Sequence, residues 1–302
     1  MTISFCWING TKPRESGQWN DGLAQAMKII EKEHTVTYHD QYSTTWEDSD
    51  VILLWEATCT AKSEHADFYN AIRRSSKKKI LLFAGGPIEY LDAVGFDLYL
   101  VESEINEREF EALELPWMRA FGINSTVMKP EKQPKVFDGM FAATCASWKR
   151  LDLFSLALGS KGVVCGRYQQ NDRMPFEHVR NNGTLLLPEL KQEAVASLLN
   201  ASWVHVNTSE FWGGGQRSLL ESLSCGIPAI AMSDSPKNSE YILESGAGLV
   251  CDPNPEAIRE AIATIKANYK DYASKGRPYI ESKWTEQSYA QNILKGIDIV
   301  CK

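Results

Sequence analysis

Short apolar, β-branched runs alternate along the chain with stretches whose apolar positions follow a helical period. In the first half, Ile3–Ile8, Thr35–His39, Val51–Trp55, Ile80–Phe83 and Phe96–Val101 read as strands, and Leu23–Lys32 and Ser63–Arg74 as helices. Most of these strands are apolar throughout and have no wet face. That pattern predicts a parallel sheet covered by helices on both sides. The basic run Lys77–Lys79 reads as a solvated helix end.

The polar, proline-marked stretch Lys129–Lys135 has the composition of a linker. Beyond it the alternation restarts. Phe137–Ala142, Gly162–Cys165, Thr184–Leu187, Trp203–Asn207 and Ala229–Met232 read as strands, and Leu151–Leu158, Glu189–Asn200 and Gln216–Ser224 as helices. Asp234–Glu240 reads as a polar loop at a strand's C-terminal end, where ligands of open α/β sheets collect, so that its polar groups are expected to line the ligand cleft, and the tail reads as two helices, Glu256–Asn268 and Thr285–Val300, with no strand between them. The expected class is α/β, with two Rossmann-like, doubly wound domains facing a cleft. Their bounds are residues 1–130 and 131–284, with a terminal helix, 285–302, packing back on the first domain.

Composition narrows the function classes. Of 302 residues, 43% are hydrophobic and 24% charged, the balance of an ordinary globular protein. A net charge of -7 gives no global attraction to nucleic acid or an anionic membrane. Seven scattered cysteines without a Cys-x-x-Cys pair argue against a disulfide framework or metal cluster, and a reducing, cytoplasmic location is expected. No His/Cys/Asp grouping has metal-ligand spacing, and no apolar stretch is long enough to span a bilayer. No export signal is visible at the start.

The chemistry concentrates in Val204–Ala231. A buried strand ends at Asn207, Gly213, Gly214 and Gly215 follow, and a helix opens at Gln216. Glycines allow close backbone approach and a helix start favours anions, so the loop suits a diphosphate; the other reading is a flexible connection. Glu221 lies on the otherwise apolar Leu219–Leu223 segment. A carboxylate there needs partners, such as paired ribose hydroxyls; the other readings are a surface glutamate or a partner for Arg217 one turn earlier. Trp19, Trp55 and Trp212 sit where aromatic faces could stack on a base or sugar, or equally pack in the core or at a rim.

These residues resemble the retaining glycosyltransferases of the GT-B fold, the glycogen synthase and sucrose synthase group. LLESLSCGIPAIA (Leu219–Ala231) and SEYILESGAGLVCDPNPEAIREAI (Ser239–Ile262) are similar to two successive family segments, and Leu187–Glu210 to the helix and strand before them. Phe141–Asp152 occupies the place of the family's first phosphate-contacting segment, where Lys149 matches the lysine and Thr144 stands where the arginine usually is. Ser16–Gln18, with Gly17, resembles the N-terminal glycine loop, and Phe121–Asn124 with Lys129 and Pro130 resembles the exit from the first domain.

The resemblance implies a nucleotide-diphosphate sugar donor, a UDP-sugar favoured, transfer with retention, and no cofactor or metal. Lys149, the helix start at Gln216 and Arg217 would meet the diphosphate, and Glu221 the ribose. His65 would contact the sugar, although a lone histidine also fits a structural role. The family's paired glutamates are broken here: counting their spacing back from Glu221 lands on Gly213. Either Glu210 serves from a longer loop, or Gly213–Gly215 take over, the second being favoured. The acceptor and oligomeric state are left open, with glycan, lipid-linked sugar, small molecule and modified nucleic acid all admissible acceptors. The competing reading is a GT-B-like binding module without turnover. A sugar-nucleotide epimerase ranks lower, since its carboxylate and histidine set cannot be assembled, and a phosphorylase would need a much longer chain.

Overall fold

The computed structural model describes residues 1–7, 20–56, 66–83, 95–167, 174–210 and 216–302. They form two compact units. Unit 1 is Met1–Gly122 with Glu286–Lys302, and unit 2 is Ile123–Thr285.

Unit 1 holds six parallel strands, β1 (Thr2–Cys6), β2 (Thr35–His39), β3 (Val51–Glu56), β4 (Lys78–Phe83), β5 (Leu98–Val101) and β6 (Trp117–Arg119), in the order β2-β1-β3-β4-β5-β6. Helices α1 (Gly22–Ile30), α2 (Ala66–Arg74) and α3 (Glu104–Ala112) are interleaved with them. Period-two geometry sends Ile3, Phe5, Val51, Leu53, Ile80 and Leu82 to one face, and Cys6, Ile52, Leu54, Leu81 and Phe83 to the other. Both faces are dry, as apolar parallel strands require. Leu23, Ala26, Met27 and Ile30 of α1 cover the first face together with Tyr289, Ala290, Ile293, Ile297 and Val300 of the C-terminal helix, Glu286–Cys301. Asp21 starts α1 by accepting a hydrogen bond from the Ala24 N–H at 3.0 Å.

Unit 2 repeats the plan. Strands β7 (Phe137–Ala142), β8 (Gly162–Cys165), β9 (Leu185–Leu187), β10 (Ser202–Asn207), β11 (Ala229–Met232) and β12 (Gly248–Cys251) are parallel in the order β12-β11-β10-β7-β8-β9. Its helices are α4 (Leu151–Leu158), α5 (Met174–Asn181), α6 (Gln192–Asn200), α7 (Gln216–Ser224), α8 (Pro236–Ser245), α9 (Pro255–Ala267) and α10 (Tyr269–Lys283). The terminal helix of unit 1 is α11. One face of the sheet packs Phe141, Val164, Val204, Val206 and Ile230 against Leu151, Phe154 and Leu158 of α4 and Ile258, Ile262 and Ile265 of α9. Gly226 ends α7 with a left-handed φ of 68°, and its N–H donates to the Leu223 carbonyl. Gly276 lets α10 approach α7 so closely that a Cβ there would lie 2.7 Å from the Leu223 oxygen.

Three sequence expectations are corrected. Asp234–Glu240 is not all loop, because Pro236 opens α8 at the one helical position where proline's missing N–H costs nothing. The tail has a further helix, α10, which continues through Gly276 and Pro278, the residues that mask it in the sequence. The Lys77–Lys79 run does not only mark a helix end: Lys78 begins β4, and Lys79 Nζ donates to the Ser75 carbonyl at 2.7 Å.

Because α11 supplies five residues to the core of unit 1, its truncation acts on that unit's sheet. Ile293→Ala is expected to lower stability by about 2–5 kcal/mol. Urea unfolding followed by circular dichroism checks this, and an unchanged midpoint would contradict the packing described.

Candidate functional site

A doubly wound sheet collects ligands beyond the C-terminal ends of its strands, where the strand order reverses. In unit 2 that point lies between β7 and β10, since β8 and β9 extend one way and β11 and β12 the other. In unit 1 it lies between β1 and β3. Gly17, Trp19 and His65 lie outside the described residues, as do Trp212, Gly213, Gly214 and Gly215.

The chain leaves β7 through Thr144, half-buried, and a short 3-10 turn, Ser147–Lys149. Lys149 is only 6% exposed. The Thr208 hydroxyl donates to its carbonyl at 2.7 Å, which ties the turn to the segment following β10. Burial, and after it the charge of Lys237, holds the Lys149 ammonium down at about 8. His205 on β10 is fully buried, and burial followed by the Lys149 charge pushes its imidazole down to about 3. The ring is therefore neutral. Its two nitrogens have no hydrogen-bond partner among the described residues, and it meets Phe141 edge-on with ring centroids 5.6 Å apart.

Arg150, in the left-handed conformation with φ 48°, staples the loops together. Its Nε donates to the Thr208 carbonyl at 2.6 Å and one terminal nitrogen to the Ser209 carbonyl at 3.0 Å. A bidentate pair with Asp234 closes the fork at 2.6 and 2.8 Å, and this guanidinium holds the Asp234 carboxyl below its usual range. Asn207 then donates to Asn238 at 3.0 Å, and Asn238 to Ser235 at 2.8 Å. Three strand exits, after β7, β10 and β11, are thus joined by polar contacts.

Glu210 is exposed, while its backbone is fixed: its N–H donates to the Trp148 carbonyl at 3.0 Å, and the Ser235 hydroxyl donates to its carbonyl at 3.4 Å. Gln216 is buried and Arg217 half-buried at the start of α7. Glu221 is 5% exposed and accepts from Gln192 Nε2 at 3.0 Å, so it is not a solvated surface glutamate. Burial raises the thiol pKa of Cys165, at the end of β8, and of Cys225, one turn further along the chain from Glu221, and the Glu221 charge adds to both. Trp55 packs on Trp7 with ring centroids 4.6 Å apart and rests against the core of unit 1.

Lys149, Glu210, Gln216 and Glu221 are therefore carried by elements that meet at the C-terminal edge of the unit 2 sheet. Sequence reasoning marked Lys237 only as one of the polar groups of Asp234–Glu240, whereas it is 2% exposed in the first turn of α8, and it missed Arg150. A cavity of about 540 Å³, lined by Lys135, Tyr269 and Arg277 among others, lies at the opposite, N-terminal edge and contains none of these groups. Among the described residues no cluster of His, Cys, Asp and Glu is placed to hold a metal, and no helix is long and apolar enough to cross a membrane.

Two six-stranded parallel sheets, each with interleaved helices, define an α/β protein of the GT-B class. Residues 155–277 match the family model described as glycosyl transferases group 1. The solved structures similar to this chain include sucrose-phosphate synthase from Thermosynechococcus elongatus, at TM-score 0.76 and 12% identity, covering 99% of this chain and 98% of that one. HepE of Anabaena, solved with UDP and glucose, aligns at TM-score 0.73 and 11% identity over 99% and 100% of the two chains. A glycosyltransferase from Rickettsia africae aligns at 0.70 and 14% identity over 100% and 98%. Comparison with curated proteins finds no match.

The buried lysine gives a signed pH dependence. Below about pH 8 Lys149 is charged in both folded and unfolded chains, and the cost of burying it is present in full. Between about 8 and the ordinary 10.5 the folded chain releases the proton first, so stability attributable to this group rises with pH. Lys149→Met is expected to be more stable than the parent below pH 8, with the gain shrinking toward 10.5. Urea midpoints across that range check it, and a gain independent of pH would contradict it.

Proposed function

We propose that this chain is a glycosyltransferase moving a sugar from a nucleotide-diphosphate sugar, a UDP-sugar favoured, to a hydroxyl acceptor with retention of configuration. The observation that carries the reading is the placement of a buried lysine and a buried glutamate, Lys149 and Glu221, on elements around the β7–β10 switch point. The group 1 match over residues 155–277 supports it. So does the nucleotide bound in a similar structure, UDP in HepE.

Donor cleavage leaves negative charge on the diphosphate while the anomeric carbon becomes electron-poor. A cation fixed before the reaction stabilises that departing charge without reorganising water. Lys149 is held for this role by its turn and by Thr208. The start of α7, with Gln216 and Arg217, presents backbone N–H groups to the same anion. Glu221 would take the ribose hydroxyls, with Gln192 fixing one carboxylate oxygen. Thr144 lines the exit of β7, and Glu210 or the Gly213–Gly215 backbone would orient the sugar. In the transfer the bond from the anomeric carbon to the phosphate oxygen breaks, a bond to the acceptor oxygen forms on the same face, and the acceptor's proton leaves with the diphosphate.

A second reading, a nucleotide-sugar-binding module without turnover, draws on Thr144 in the place of the family's arginine and Gly213 at the spacing of the first glutamate. Product formation separates the two. UDP is expected to raise the melting temperature, and incubation with UDP-sugars to release UDP, which a binder would not do. Glu221→Gln is expected to weaken UDP binding about tenfold to a hundredfold, the worth of hydrogen bonds to a charged group. Calorimetry checks this; unaltered affinity would remove Glu221 from the site.

A further inference from the structure

We propose that the cavity at the N-terminal edge of the unit 2 sheet is a second ligand site, taking a phosphate monoester with a small apolar body. It stands apart from the donor-binding reading, since its lining includes neither Lys149 nor Glu221. Three segments wall it: the stretch before β7, the Cys225–Ile227 turn that ends α7, and the first turns of α10. At about 540 Å³ it falls within the span of small-molecule sites, roughly 300–1,000 Å³.

The walls are pinned. Lys129–Lys135 has the composition of a linker, yet Asn200 holds it twice. The Asn200 Oδ1 accepts from the Glu131 N–H at 2.8 Å, and its Nδ2 donates to the Lys129 carbonyl at 3.0 Å. Gly226 brings the α7 turn up to the same stretch: a Cβ there would lie 3.6 Å from Pro130 Cγ. On α10, Arg277 Nη1 donates to the Ser125 and Met128 carbonyls at 3.0 and 2.8 Å and to Ser224 Oγ at 2.9 Å, which fixes that helix to the start of unit 2 and to the end of α7.

Charge decides the ligand class. The lining carries four cations, Lys132, Lys135, Lys270 and Arg277, against one carboxylate, Glu131. Arg277 is paired through Nε with Glu281, outside the cavity, at 2.7 Å. The three lysines have no carboxylate partner among the described residues. Lys135 is half-buried, and its contacts are neutral: the Asn200 and Ser202 carbonyls at 3.0 and 2.7 Å, and the Tyr269 ring, 5.2 Å from Nζ to its centroid. Positive charge gathered around a concave surface draws in anions. Several separate N–H donors match the three outer oxygens of a phosphate monoester better than the two of a carboxylate. The Cys225, Ile227, Ala273 and Tyr269 side chains add an apolar wall, which a phosphate ion alone would leave uncovered.

The test is calorimetry of phenyl phosphate, benzoate, inorganic phosphate and phenol, each with and without UDP. It compares the parent with the double variant Lys132→Ser, Lys270→Ser. The parent is expected to bind phenyl phosphate at least about tenfold more tightly than the other three, and equally well with UDP present. The double variant, altered only at exposed positions, is expected to melt as the parent does, to respond to UDP as the parent does, and to lose about tenfold or more in affinity for phenyl phosphate. AMP and hexyl phosphate, run in the same way, distinguish a planar body from an alkyl one. A parent that does not bind phenyl phosphate, that binds benzoate as tightly, or that releases phenyl phosphate to UDP overturns the proposal. A folded double variant with unaltered affinity overturns it as well. Should that variant fold poorly, Lys270→Gln alone is read in the same way.

Discussion

An ammonium group taken out of water is the constraint around which unit 2 is organised. Lys149 sits in a three-residue turn after β7, nearly without solvent, and its charge together with burial keeps the His205 ring neutral. Such a charge cannot be left to find its own position. The Thr208 hydroxyl, the left-handed Arg150 and the Asp234 carboxylate fix the turn from three directions. The same bonds determine how the exits of β7, β10 and β11 run, so site and scaffold cannot be varied independently.

Much of the scaffold was legible because burial on both faces leaves a plain mark: runs such as Val51–Trp55 and Ala229–Met232 have no polar alternation to confuse with a surface strand. The elements that escaped notice carry contrary local signals. Pro278 and Gly276 conceal α10, where tertiary packing on α7 overrides intrinsic propensity. Pro236 reads as a turn residue until it is seen at the start of a helix. The short strand Trp117–Arg119 is too brief to show a period at all.

The candidate site divides in the same manner. Lys149 and Glu221 could be singled out because they fall within segments resembling a family, and both are buried. Arg150 could not, since its contacts run across strands in a way that no local pattern records. The broken glutamate pair is a different matter. Glu210 has its backbone tied at both ends while its side chain faces solvent, so its position is set by the scaffold whatever its carboxylate does.

The last helix has a consequence for how the chain is made. Unit 2 is an insertion in unit 1: the chain enters it at Ile123 and leaves at Thr285, where the two ends are bridged and the Ile123 N–H donates to the Trp284 carbonyl. A ribosome therefore completes the inserted unit while the earlier-synthesised one still lacks part of its core, Tyr289 through Val300. The usual order, in which the N-terminal part of a protein matures first, is inverted here. Until those residues emerge, the first sheet presents Leu98 and Leu100, its contribution to that missing interface, to whatever chaperone or solvent is at hand.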